Sequence, residues 1–303
     1  MTIRMVGSIA SSSALDLSLL PAPIIIAQPD FETRFAAKLA RFRTLMDDFT
    51  ALVEGDPAML LLQADSYDEV VLAQAMNDAA RRMLLAFAAG TMLDHIGALF
   101  AVERMIVTPA DPETGTPAIM ETDTAFRQRI QLAPHSFSVA GPELAYVYHA
   151  RSAHGDVADA SAVSPAPGEV VVTVMSATGS GVPSTEVLDA VTAALGNAVR
   201  PMTDFVTVAA AELIDFPIEA NLWVFAGPDQ ELIRQTALTS LSAFLANAHR
   251  LGRDIPRSAI IAALHVGNVQ RVELVSPVID IVVGDGQVAN PTAQTVTVAG
   301  TEL

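Results

Sequence analysis

The chain has no cysteine, one tryptophan (Trp223) and three tyrosines among 303 residues. The missing cysteines exclude disulfides, thiolate nucleophiles and cysteine-ligated metals. The shortage of aromatic side chains counts against a carbohydrate cleft. Basic residues are scarce too: 17 Lys and Arg stand against 34 Asp and Glu, a formal charge of −17. An acidic surface repels nucleic-acid backbones and anionic lipid, so neither nucleic acid nor membrane is expected as a partner. No apolar run reaches the roughly 18 to 20 residues of a membrane span. The opening MTIRMVGSIASSSALDLSLLPAP is interrupted by Asp16 and is not expected to act as a signal peptide.

Familiar catalytic patterns are absent as well. There is no GxSxG elbow. ATGSGVPS (177–184) stands before a helix-like stretch, as an anion loop would. It has no Walker lysine, and its glycines miss the GxGxxG spacing, so Gly179 and Gly181 read as turn residues. The six histidines are His95, His135, His149, His154, His249 and His265. His149 and His154 miss the i, i+4 spacing of a helical metal site. The acid pairs Asp111/Glu113 and Glu121/Asp123 flank a proline-rich segment and read as a solvated loop and a helix cap rather than a glycosidase pair. No catalytic, cofactor-binding or metal residues are therefore expected.

What the chain does have is organisation. Residues 1–30 read as an extended arm, held open by Pro21, Pro23 and Pro29 and expected to order on assembly. Residues 31–107 read as a helical, bundle-forming domain. Asp30 suits an N-cap, and Phe35, Leu39, Phe42, Met46 and Phe49 follow at near-heptad spacing. That stripe is either the buried face of an ordinary amphipathic helix or the seam of an interchain bundle. Asp56-Pro57 starts a second helix, and the absence of Gly or Pro before Gly90 predicts about 33 helical residues, roughly 48 Å. Residues 108–140 read as a linker and a short helix opened by Asp123.

Beyond this point strands and helices alternate. Residues 141–212 form a first α+β module, with EVVVTVMS as a strand and TEVLDAVTAALG as a helix. Residues 213–303 form a second, with FPIEANLWVFA as a strand, a helix carrying Leu232, Ile233, Ala237, Leu238, Leu241, Phe244, Leu245 and Ala248, then VIDIVV and a C-terminal edge strand. The phrase GDVADASAVSP (155–165) returns as GNVQRVELVSP (267–277), each after a helix-like stretch and before a strand candidate. Two copies fall short of a solenoid, so a duplicated α+β module is the reading. The fold class is α+β: a long-helical N-terminal region followed by two related small modules. In HRLGRDIPRSAI, the residues Arg250, Arg253, Asp254 and Arg257 form the one basic spot. It is either a helix C-terminal cluster with Asp254 paired to an arginine, or a contact surface for an acidic partner.

Five stretches in order, LDLSLLPAP, NDAARRMLLAFAAGTMLDHIGALFAVER, PAIMETDTAFRQRIQLA, HARSAHGDVADASAVSP and AHRLGRDIPRSAIIAALHVGNVQRVELVSP, resemble the baseplate assembly protein J family of contractile-tailed phages. ETDTAFRQRI and HRLGRDIPRSAI are the most specific of them. The resemblance covers nearly the whole chain and extends to the main wedge protein of T-even phage baseplates. It implies a structural wedge subunit with no catalytic residues and no cofactor. Two copies would join one copy of a second wedge protein through a helical bundle. Wedges would contact neighbouring wedges, ring the spike and hub, and couple to sheath contraction. The implied location is a virion tail baseplate or tail-like particle, assembled in the host cytoplasm. A tail-associated cell-wall hydrolase is the alternative reading.

Overall fold

A computed structural model describes residues 17, 20–27, 30–46, 53, 55–138, 140–227 and 229–302. They divide into two units, residues 15–103 and residues 104–303, and each is described by itself.

The first unit is helical. Helix α1 spans Phe31–Leu45, and its Asp30 cap accepts from the Thr33 amide and hydroxyl. Helix α2 spans Pro57–Arg82, with Asp56 accepting from the Ala58 amide at 2.7 Å and Pro57 in the first turn. Both caps stand where the sequence places them. The expected 33-residue helix is shorter, however. It ends at Arg82, and Met83–Ala89 turns, with the Phe87 and Ala88 amides donating to Leu84 O and Ala88 buried. Burying Ala88 and half-burying Phe87 outweighs extending an exposed helix. Gly90, at φ 55°, is therefore the entry to helix α3 (Thr91–Ala98), not the stop of α2.

The buried positions of α2 are Met59, Ser66, Ala73 and Asn77, all on one face. Two of these are polar, and both are satisfied. Ser66 Oγ donates back to Leu62 O. The Asn77 side chain accepts from the Ile25 and Ile26 amides and donates to Ile26 O, holding that piece of the arm as a neighbouring strand would.

The second unit begins with a small hairpin, β1 (Ile106–Thr108) and β2 (Ile119–Met120), closed by an Asp111–Thr116 bridge. The proline-rich linker is thus a structured excursion. Helix α4 (Asp123–Leu132) is capped by Thr122 rather than Asp123, and a 3-10 turn (Ala133–Phe137) leads to α5 (Glu143–Arg151).

Two three-stranded sheets follow. In the first, β4 (Glu169–Ser176) lies between antiparallel β3 (Val157–Val163) and parallel β5 (Phe205–Ala210). Helix α5 and helix α6 (Thr185–Ala194) cover it, burying Val172 and Val174 with Val147, Ala150, Val187 and Val191. In the second, β6 (Glu212–Phe225) lies between antiparallel β7 (Val269–Ser276) and parallel β8 (Gln287–Glu302). Its residues Ile218, Ala220, Leu222 and Val224 alternate inward against helix α7 (Gln230–Ala248) and helix α8 (Arg257–Leu264). Each fully buried leucine there contributes about 1.5–3 kcal/mol. Leu232, expected on the apolar stripe of α7, is instead exposed.

The repeated phrase is itself a strand in both places; the strand expected after it forms only in the first, as β4. In both places a helix ends, Gly155-Asp156 or Gly267-Asn268 turns the chain, and an antiparallel edge strand runs to Ser-Pro. The chain order around this shared unit differs. The central strand follows the phrase in the first sheet and precedes it in the second. VIDIVV, expected as a strand, lies in a loop. Pro277 has no N–H for a ladder, and Asp280 is committed to the Arg257 amide at 2.7 Å.

At the start of α7, Glu231 accepts two bonds from Arg234 (2.8 and 2.6 Å) and one from Gln235. Those bonds pull its carboxyl down from 4.5 to about 2. A depressed carboxyl stabilises the fold at neutral pH, and that contribution is lost as pH falls from 4.5 toward 2. An NMR titration should find Glu231 near the lower value, and Arg234→Ala should return it toward the upper one.

Candidate assembly surfaces

Helix α1 packs on α2 through a mixed face. Phe35, Leu39 and Phe42 are half-buried, and Phe31 and Phe35 stack at 6.0 Å. Met46 is 52 % exposed, and Phe49 lies outside the described residues. Ion pairs edge the contact: Arg34–Glu69 at 3.4 Å, Lys38–Asp65 at 2.7 Å and Lys38–Glu69 at 3.1 Å. Lys38 is the chain's only lysine. Its bond to Asp65 holds its ammonium above the usual range. Part of the predicted stripe thus serves α1 on α2 within one chain. Sequence spacing alone could not show this, because heptad spacing is blind to which partner fills the seam.

The opposite side of α2 has no such cover. Leu60, Leu61, Val71 and Leu72 are exposed there, with Leu61 at 71 % and Leu72 at 56 %. Sequence reading passed over this face because α2 lacks a clean amphipathic pattern. Apolar residues fall on several of its sides, and only burial distinguishes them.

In the second unit, two of the four acids that raise the hydrolase question are bound by arginines. Glu121 is buried and takes a fork from Arg129, at 2.8 Å to Nε and 2.7 Å to Nη2. Asp123 pairs with Arg104 at 2.7 Å. The Phe126 ring lies 4.8 Å from the Arg104 guanidinium and 5.6 Å from that of Arg129. Asp111 closes an exposed turn by accepting from the Glu113 amide and the Thr114 hydroxyl. Among the described residues no cluster of His, Asp and Glu converges as a metal site, and no helix is long and apolar enough to cross a membrane.

The cluster at 250–257 clamps a loop. Asp254 accepts from the Val283 amide at 2.7 Å instead of pairing with an arginine. Ile255 bridges Ile281, and Arg257 donates from its backbone to Asp280 and from its side chain to Leu274 O. Arg253 donates to Asn247 O, closing the end of α7. Arg250 lies near buried Asp159, whose carboxyl is pushed up by burial against the opposing pull of Arg151. The clamped loop presents Val278 and Ile279, 76 % and 75 % exposed. Those two residues escaped sequence reading because VIDIVV carries a strand's composition.

The two sheets are tied by Met175, Ala211, Leu251 and Val288, by Asp159 accepting from the Leu251 amide, and by Ser161 donating to Asp285 O. Residues 54–111 match the baseplate J-like N-terminal domain, residues 138–210 the baseplate J-like central domain, and residues 216–299 the baseplate J-like protein C-terminal domain. The chain belongs to the baseplate J-like family, structural proteins of phage-tail baseplates. It is 44 % identical over 298 residues to baseplate protein J of Escherichia phage P2, covering 95 % of this chain and 99 % of that one.

Proposed function

We propose that this chain is a wedge subunit of a contractile phage tail or tail-like injection particle. The observation that carries this reading is the helical hairpin α1–α2, which leaves an apolar face of α2 open to solvent. Exposed apolar helix surface on this scale marks an interaction site. Two copies join one copy of a second wedge protein through residues 31–107. The α+β modules, 141–212 and 213–303, meet neighbouring wedges and build the ring around the spike and hub. Movement in that ring couples to sheath contraction. Phe35, Leu39, Phe42, Met46 and Phe49 line the bundle seam, and Arg250, Arg253, Asp254 and Arg257 lie at the module contact. The particle assembles in the host cytoplasm. The likeness to baseplate protein J of phage P2 supports the baseplate setting.

The test is native mass spectrometry of the chain alone and co-expressed with the adjacent tail protein. A complex of two copies with one copy of that protein is expected. A chain that stays monomeric beside its neighbour overturns the wedge reading. Phe42→Asp should abolish the complex while circular dichroism shows the sheets intact, and a complex that survives removes the α1 stripe from the seam.

A further inference from the structure

Helix α2 carries six charged side chains: Asp65, Asp68, Glu69, Asp78, Arg81 and Arg82. Four are neutralised within the chain. Lys38 holds Asp65 and Glu69, and Asp78 pairs with Arg81 at 3.4 Å. Among the described residues Asp68 and Arg82 have no ion-pair partner, and both are exposed. They are 14 positions apart, which is about 21 Å along the helix. Ala75 lies midway, seven residues from each. Leu61, Asp68, Ala75 and Arg82 recur every seven residues and so share one stripe, with Val71 and Leu72 beside it. This stripe is turned away from the buried positions of α2 and from the Glu69 edge that α1 occupies.

The pattern is self-complementary. We propose that the open face of α2 pairs with the same face of a second copy, antiparallel, with the two-fold axis at Ala75. Asp68 of each copy then meets Arg82 of the other on either side of the axis, and Val71 and Leu72 are covered. A two-fold contact uses one patch twice, and it requires this kind of internal mirror. A parallel pair would set Asp68 against Asp68 and Arg82 against Arg82, so the charges themselves choose the orientation. Ala75 at the crossing lets the helices approach closely. The stripe also answers the long-range problem of two chains of formal charge −17. Its one acid and one base sum to zero, and its acidic flanks are neutralised by Lys38 and Arg81.

The pairing takes its setting from the wedge reading, but its test is separate. It uses the full chain in sedimentation at low salt. Wild type should be dimeric. Asp68→Arg and Arg82→Asp should each weaken the dimer at least tenfold, and the double variant Asp68→Arg/Arg82→Asp should restore it. Because the chain has no cysteine, single introduced thiols report cleanly. Ala75→Cys should cross-link to itself. Ala64→Cys should not, because antiparallel copies hold those positions about 33 Å apart. A monomeric wild type, a double variant as weak as the singles, or cross-linking at Ala64→Cys as efficient as at Ala75→Cys overturns the pairing. A chain that joins the two-to-one complex while Ala75→Cys stays unlinked overturns the pairing and leaves the wedge reading standing. A linked dimer that ignores the neighbouring tail protein supports the pairing and overturns the wedge reading.

Discussion

Arg129→Ala is expected to lower the stability of the unit at 104–303 by about 3–5 kcal/mol. Arg129 and Glu121 are almost wholly buried, at 5 % and 8 % side-chain exposure. Removing the arginine strands a carboxylate away from water, and the loss of the fork is compounded by that desolvation. It also takes one of two guanidinium groups from the Phe126 ring. The neighbouring Arg104 cannot compensate, because it is engaged with Asp123 and with the Glu121 backbone carbonyl. Guanidinium denaturation followed by circular dichroism measures the effect. Replacing both partners, as Glu121→Leu with Arg129→Met, should recover most of the loss, since a buried pair often contributes little beyond its apolar equivalent. A single-variant loss below about 1 kcal/mol would mean that water reaches the carboxylate.

The second large effect separates the two glycines of the repeated phrase. A Cβ on Gly155 would stand 2.3 Å from the carbonyl oxygen of Ile106 and 3.0 Å from the Cα of Val107. Both are backbone atoms, so β1 itself must shift. Gly155→Ala should therefore destabilise by about 1–3 kcal/mol or more, the range for forced overpacking. Gly267 has nothing within 4 Å of the same position. Gly267→Ala should be neutral or slightly stabilising, by up to about 1 kcal/mol, through the unfolded state. Thermal melts of the two variants side by side make the comparison. Equal melting temperatures would show that β1 yields freely.

Much of the local structure was legible because its causes are local. Asp30 and Asp56 cap helices through bonds to residues two or three positions on, Pro57 fits the first helical position, and EVVVTVMS is bounded as read. The losses have distant causes. Nothing near Met83 announces that the helix stops there, since the burial of Ala88 and half-burial of Phe87 decide it. VIDIVV has a strand's composition, but its Asp280 is claimed by Arg257, 23 residues earlier. The repeated phrase was visible as a phrase. Its role as the edge strand itself was not, because composition does not say which of two adjacent apolar runs pairs. For the surfaces, the α1 stripe could be found by spacing. The open face of α2 needed the knowledge of which side α1 covers.

The parallel pairing of β6 with β8 has a consequence in time. Glu212 and Gln287, which begin that ladder side by side, are 75 residues apart in the chain. At a synthesis rate of about 5–20 residues per second, β6 leaves the ribosome some 4–15 s before the strand that closes its second edge. Antiparallel β7 emerges sooner and can cover only one side. For those seconds the most apolar strand of the module has an open edge, the geometry that recruits strands from other chains. Faster translation through residues 226–286 should raise the soluble yield, and cold or crowded expression should lower it, before any question of baseplate assembly arises.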